Sequence, residues 1–316
     1  MEGGDQLNMH PPNHHPLVTA VIPTRGRPEL VTRAVHSALA QTYPQMEVVV
    51  AVDGPDAFTT DQLAKLSDNR LRVVTLSKSA GGAAARNAGV EAARGAWIAL
   101  LDDDDEWLPN KIELQMQCAG NSRFRYPIVS SQVFARASQY EVIWPRIEPY
   151  EPLSEYLLAR NSWSYGEGLL STITLLFPKE LFQQVAFRPE LRRHQDLDWV
   201  LRAAKHEGAG IEFVPQPLAV WHMAEHRSSV STTADWQASL QWIDSVRDLI
   251  TPRAYASFIA TSLSPQAAAV HDWNAFPLLF KNMVTQGEPN LRDLLLYSGM
   301  WLVPRNLRRT VRKANK

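Results

Sequence analysis

One cysteine stands among 316 residues, so Cys118 has no intramolecular disulfide partner and the chain reads as one for a reducing compartment such as the cytoplasm. No stretch approaches the roughly 20 apolar residues that a bilayer-spanning helix needs; the longest candidate, 294–303, is interrupted by Ser298 and Gly299. Net charge is nearly absent, with 32 Lys and Arg against 33 Asp and Glu. That balance argues against a dedicated nucleic-acid surface, which would show a basic excess across the domain. Neither a G-x-G-x-x-G nor a Walker pattern occurs. Residues 1–16, rich in Asn, His and Pro, lack the basic start and apolar stretch of a secretory leader and read as a flexible arm. What remains is ordinary for a globular protein: 45% hydrophobic and 21% charged residues. At roughly 150 residues per domain, the length suggests one large domain or two unequal ones.

From residue 17 onward, short apolar runs alternate with segments of helical period. Strands are predicted at 17–22, 48–52, 71–76 and 96–101, with helices opening at Pro28, near Thr60 and after Gly81-Gly82. Strands separated by helices need crossover connections, which implies an α/β fold with a mostly parallel sheet covered on both faces. Ligands of such sheets lie at the carboxyl ends of the strands. The ends here are Pro23-Thr24, Asp53-Gly54 and Asp102 to Asp105. Further strands are expected at 128–134, 170–177, 211–214 and 218–222, the last two as edges, and a helix at about 195–206. After Ser231 the pattern becomes helical, in 236–250, 253–263, 275–284 and 291–303. A boundary near residue 230 follows.

The acidic run is the strongest single signal. If extended, it would project Asp102 and Asp104 to one side and Asp103 and Asp105 to the other. Two carboxylates about 6 Å apart repel by roughly 3 kcal/mol at an effective dielectric near 20, so leaving both ionised calls for a cation. Mg²⁺ or Mn²⁺ suits such hard oxygen ligands, and a solvated acidic turn is the simpler alternative. Asp53 reads either as a turn former or as a carboxylate that accepts from a base N–H or a ribose hydroxyl. Arg86 would pair with the acids, meet a phosphate, or lie on the surface. Asp196 would cap a helix or act as a general base. Asp198 and Arg202, four apart, read as an ion pair, worth a few tenths of a kcal/mol if exposed.

Taken together, Val21-Ile22-Pro23-Thr24 with Arg27-Pro28-Glu29-Leu30, Ala40-Gln41-Thr42-Tyr43-Pro44, Val52-Asp53-Gly54, Ala85-Arg86-Asn87-Ala88-Gly89, Leu101-Asp102-Asp103-Asp104-Asp105-Glu106-Trp107 and Gln195-Asp196-Leu197-Asp198 resemble the nucleotide-sugar domain of family 2 glycosyltransferases. These stretches stand in family order over 17–230. The resemblance implies a GT-A fold there, a helical region over 231–316, and an inverting transferase that uses a nucleotide-sugar donor. It assigns Pro23, Thr24, Arg25, Asp53, Arg86, Asp102 and Asp103 to the donor, with Asp53 reading the ring N–H of uracil or thymine. Asp102 and Asp104 become the D-x-D pair, Asp104 and His226 metal ligands for Mg²⁺ or Mn²⁺, and Asp196 the base. His222 competes with His226. Two departures are Val52 before Asp53 and Gln195 before Asp196, where the family often has acids. The Gln-x-x-Arg-Trp signature of processive synthases is absent, so a single sugar is added, to a saccharide or lipid-linked saccharide acceptor.

Ten tryptophans are many. Trp236 and Trp242 read as core, while Trp163 and Trp199 are candidates for the acceptor cleft. The apolar segment 294–303 leads into a basic end holding Arg305, Arg308, Arg309, Arg312, Lys313 and Lys316. That pairing reads as a peripheral contact with the inner face of the plasma membrane or as a solvated tail. A nucleotidyltransferase is the alternative enzyme, although Pro23-Thr24-Arg25-Gly26-Arg27 is a poor version of its phosphate loop. A non-catalytic sugar-binding relative is the alternative from another class.

Overall fold

The computed structural model describes residues 15–138, 140–161, 168–223 and 235–303. Nine strands are present among them: β1 (Val18–Thr24), β2 (Met46–Val52), β3 (Leu71–Thr75), β4 (Trp97–Leu100), β5 (Glu106–Trp107), β6 (Tyr126–Ala137), β7 (Tyr140–Trp144), β8 (Leu176–Pro178) and β9 (Ala209–His222). They form one sheet in the order β3-β2-β1-β4-β8-β6-β9-β5, with β7 paired to β6. The half formed by β3, β2, β1 and β4 is parallel, as the crossover argument requires. Beyond β4 the sheet is mixed, because β8 runs antiparallel to both β4 and β6.

Helices α1 (Pro28–Leu39), α2 (Ala57–Ala64), α3 (Gly82–Ala92), α4 (Lys111–Gly120), α5 (Leu153–Leu158), α6 (Lys179–Gln184) and α7 (Gln195–Ala204) are interleaved with the strands. Alternation along β1 decides which helix meets which face. Val18, Ala20 and Ile22 join the cluster built with Val31, Ala34, Val35 and Ala38 of α1. Val21 points the other way, into the cluster with Ala83 and Val90 of α3 and Trp199 of α7. A side chain at Gly89 would collide with Val21, so the small residue lets α3 approach the sheet closely. Both faces of β1 and β2 are thus buried, which explains their uninterrupted apolar runs.

Two expected edge strands prove to be the single strand β9. It lies between β6 and β5, and its register against β6 shifts near Gln132, opposite the Pro215-Gln216-Pro217 interruption. Prolines that break the sequence pattern are absorbed there by an irregularity in the pairing.

The C-terminal helices are α8 (Trp236–Ser245), α9 (Pro252–Phe258), which continues through a π turn at Ile259–Leu263 into α10 (Ser264–Ala269), α11 (Ala275–Thr285) and α12 (Leu291–Leu302). Their core includes Trp236, Trp242, Tyr255, Leu263, Leu279 and Trp301, and it takes in Leu158 of α5 and Leu201 of α7. The helical region is therefore packed onto the elements that carry one wall of the cleft described next. No described helix is long and apolar enough to cross a membrane.

Candidate active site

The first wall is made by the carboxyl ends of β1, β2 and β4. Thr24 ends β1, and its hydroxyl donates to Asp103 Oδ2 at 2.7 Å. Arg27, just before α1, reaches Asp103 Oδ1 and Asp104 Oδ2, each at 3.1 Å. Arg33, further along α1, donates to the Asp104 carbonyl at 2.6 Å and lies 3.5 Å from Glu106 Oε1. Asp105 accepts from the His222 amide at 2.8 Å, and His222 Nε2 sits 2.7 Å from Glu106 Oε1. The acidic run is not extended. The Asp105 amide donates to the Asp102 carbonyl at 3.2 Å, forming a turn that lets Asp103 and Asp104 share Arg27. The two-sided arrangement expected of an extended run does not arise. Burial raises the Asp103 pKa above the ordinary carboxylate value, against the downward pull of Thr24 and Arg27.

Asp53 is buried at the end of β2. It accepts from the Ser79 hydroxyl at 2.8 Å, the Ala80 amide at 2.6 Å and the Gly81 amide at 3.1 Å. Its carboxylate therefore organises the loop that opens α3. Gly54 turns beside it with φ +91°, and a side chain there would meet the Ser79 amide nitrogen. Arg25, which is exposed, donates to the Ser79 hydroxyl, and Pro23 lies opposite Ala51 in the β1–β2 register.

Arg86 ties the two walls together. Its guanidinium donates to Asp102 Oδ1 and, at 2.8 Å, to Gln195 Oε1. The second wall is the segment leading into α7. His194 adopts the left-handed conformation at φ 59° and turns the chain so that Asp196 enters the cleft in the first turn of α7. The Leu197 amide donates to Asp196 Oδ1 at 2.9 Å. Burial first, and the neighbouring Asp102 to a lesser degree, raise the Asp196 pKa; the Leu197 amide and Arg86 oppose the rise. His194 itself stacks on Trp242 at 4.4 Å and meets Ser239 Oγ at 2.9 Å. Burial and the adjacent Arg193 bring its pKa down to about 4, so the ring is neutral at pH 7. A cleft of 320 Å³ runs between the walls, lined by Arg86, Asp102, Thr172 and residues 192–196.

The expected Asp198–Arg202 pair forms, at 2.7 Å, and Asp198 is fully buried, so the energy of an exposed pair does not apply; Asp198 also accepts from Trp242 Nε1 at 3.3 Å, with Arg188 at 3.3 Å. One expectation is corrected. Trp199 is fully buried against Phe177 and Phe187, so its ring cannot line a cleft. Trp236 and Trp242 are core, as their spacing suggested. His226 and Trp163 lie outside the described residues. Among the described residues, no group of three or more His, Cys, Asp and Glu is arranged to hold a metal ion.

The model of the family described as "Glycosyl transferase family 2" matches residues 19–185, more than half of the chain. The chain belongs to glycosyltransferase family 2. TuaG of Bacillus subtilis, named as a teichuronic acid biosynthesis glycosyltransferase, is 29% identical over 191 residues, covering 58% of this chain and 71% of its own. AmsB of Erwinia amylovora, named as an amylovoran biosynthesis glycosyltransferase, is 26% identical over 257 residues, 78% of this chain and 82% of its own. Among solved structures, a mannosyltransferase of Pyrobaculum calidifontis in complex with GDP-Man and Mn²⁺ superposes with a TM-score of 0.58. It is 18% identical and covers 96% of this chain and 85% of its own. That likeness is one of fold, GT-A. In this glycosyltransferase, sequence reasoning missed Arg27, Arg33 and Ser79 as partners of the strand-end groups. Arg27 carried a usable signal, since it stands three residues beyond Thr24 at the same sheet edge.

Proposed function

We propose that this glycosyltransferase inverts the anomeric centre while moving one sugar from a nucleoside-diphosphate donor, UDP or dTDP, to a saccharide or lipid-linked saccharide. The product would be a cell-surface polysaccharide, built at the inner face of the plasma membrane. The observation that carries this reading is Asp196, a carboxylate with a raised pKa in the same cleft as the Arg86–Asp102 pair. The polymer-building names of TuaG and AmsB support the pathway.

In this reading residues 17–230 are the catalytic unit and 231–316 a helical addition. Pro23, Thr24 and Arg25 border the nucleoside. Asp53 shapes that pocket through the 79–81 loop, and in this proposal its carboxylate also accepts from the ring N–H of the base. Asp102 and Asp103 face ribose and diphosphate, with Arg86 beside them. Asp104, partly exposed and ion-paired to Arg27, supplies a hard oxygen donor. One such donor fits Mg²⁺ or Mn²⁺, which keep waters and complete their shell with substrate phosphates. His226 would be the second protein ligand. The cation, when bound, offsets charge on the departing diphosphate. Asp196 takes the acceptor hydroxyl proton as that oxygen bonds to the anomeric carbon from the face opposite the donor. The bond from that carbon to the diphosphate oxygen breaks, and Arg86 stabilises the charge it leaves. A nucleotidyltransferase reading has no observation in its favour.

Thermal shifts with a panel of nucleotide sugars, with and without Mn²⁺, test the donor assignment. A UDP- or dTDP-sugar should stabilise the protein, and chelation should abolish both the shift and transfer. Stabilisation by GDP-sugars alone, or full transfer after exhaustive chelation, would refute the corresponding part.

A further inference from the structure

The C-terminal helices bury one side and leave the other apolar. On α11, Phe276, Phe280 and Val284 recur at i, i+4 and i+8 and are all exposed. On α12, Leu291, Leu295 and Leu302 fall on one helical face, with Leu291 73% and Leu302 76% exposed. Ring contacts join the two helices, with Phe276 and Phe280 within 5.3 and 5.7 Å of Tyr297. Trp273, 59% exposed, extends the surface, 5.6 Å from Trp301. Surfaces of this kind on soluble proteins mark interaction sites, because exposing so much hydrocarbon to water is unfavourable.

The charges around it are one-sided. The single acid on the two helices is Asp293, which is fully buried and bonded to Arg253. Lys281 is exposed on α11. Beyond Val303 the sequence places Arg305, Arg308, Arg309, Arg312, Lys313 and Lys316 within thirteen residues that contain no acid. The nearest acids in sequence are Glu288, exposed in the loop between the helices, and the half-buried Asp272, next to Trp273, which accepts from Trp236 Nε1.

We infer that the α11–α12 face lies in the plane of an anionic lipid surface, its rings and leucines at the acyl boundary. Aromatic rings prefer that depth, and clustered cations are drawn to anionic headgroups. No described helix can span a bilayer, so the contact is peripheral. A second copy of the chain is the competing occupant, and the oligomeric state of the double variant below separates the two. The inference deepens the membrane setting proposed above but needs no sugar transfer, so the two can fail separately.

The full chain should be sedimented with vesicles of pure phosphatidylcholine and with vesicles holding about 30 mol% phosphatidylglycerol, at about 50 and about 300 mM NaCl. We expect binding to the anionic vesicles at low salt, at least ~10-fold weaker to neutral ones and falling at high salt. Phe280→Ser with Leu295→Ser should weaken it at least ~5-fold. Both residues are exposed, so the melting temperature and the shift produced by UDP with Mn²⁺ should persist in this variant, separating lost membrane contact from lost folding or donor binding. The inference is overturned by absent binding at low salt, or by binding that the double variant leaves intact while Arg308→Glu with Arg309→Glu removes it. A dimer that the double variant dissolves, with no vesicle binding, would assign the face to a second copy.

Discussion

Asp102, after β4, and Asp196, in the first turn of α7, line one cleft, yet the two groups of acids they belong to differ in their surroundings. In the first group, cations and amides engage the side chains: Arg86 holds Asp102, Arg27 holds Asp103 and Asp104, and the His222 amide holds Asp105. In the second, two carboxylates of one helical turn diverge. Asp198 is buried beneath two arginines and the Trp242 indole, whereas Asp196 has the Leu197 amide as its short-range donor and a pKa raised by burial. A carboxylate engaged by cations and amides contributes position or charge. Burial raises proton affinity at Asp103 as well as at Asp196, but Thr24 and Arg27 donate to the two Asp103 oxygens, whereas Asp196 accepts from the Leu197 amide and lines the open cleft, the placement that suits a base.

Replacing Asp196 with Asn tests that contrast most severely. Transfer should fall by about 10²- to 10⁴-fold, the usual contribution of a general base, with donor binding by thermal shift nearly unchanged. An active Asp196→Asn enzyme would end the distinction between the two carboxylates. Asp198→Ala should reverse the pattern, costing about 3–5 kcal/mol of stability in urea titrations, because Arg188 and Arg202 lose their buried partner. Wild-type stability in that variant would mean that the buried pairing is dispensable.

Two pH effects are smaller. Because Asp196 works deprotonated and its pKa is raised, the acid limb of kcat/KM should lie above the ordinary carboxylate value of about 3.9, and Asp196→Glu should displace it. A limb at or below that value would remove Asp196 from the base role. His194 shifts in the opposite direction, to about 4. The unfolded ring takes a proton near pH 6.5 and the folded ring does not, so its contribution is complete above that pH. Stability should decline as pH falls from about 6.5 towards 4, and His194→Gln should flatten that part of the melting curve.

Much of the parallel half-sheet was legible in the sequence. Strands β1, β2 and β4 are buried on both faces, and their apolar runs end directly in Thr24, Asp53 and Asp102. The long C-terminal helices were equally legible from their periodicity, apart from the short α10. The joining of two expected strands into β9 was not, because only pairing with β6 carries the chain past Pro215 and Pro217. The burial of Asp198 was not legible, for a related reason. Its partners Arg188 and Trp242 come from an irregular segment and from α8, and helical spacing says nothing of either.

By itself the sequence determined which residue types stand at the strand ends, that helices form after Pro28, after Gly81-Gly82, near Gln195 and along the C-terminal region, and that acids and bases are segregated along the chain, since these follow from local periodicity and position. Tertiary structure alone decided which carboxylates are paired and which of them line the cleft, because that depends on burial and on groups brought together from as far apart as Arg86 and Gln195. It decided as well that the apolar side of α11 and α12 faces outward, since a helix buries whichever face its neighbours cover.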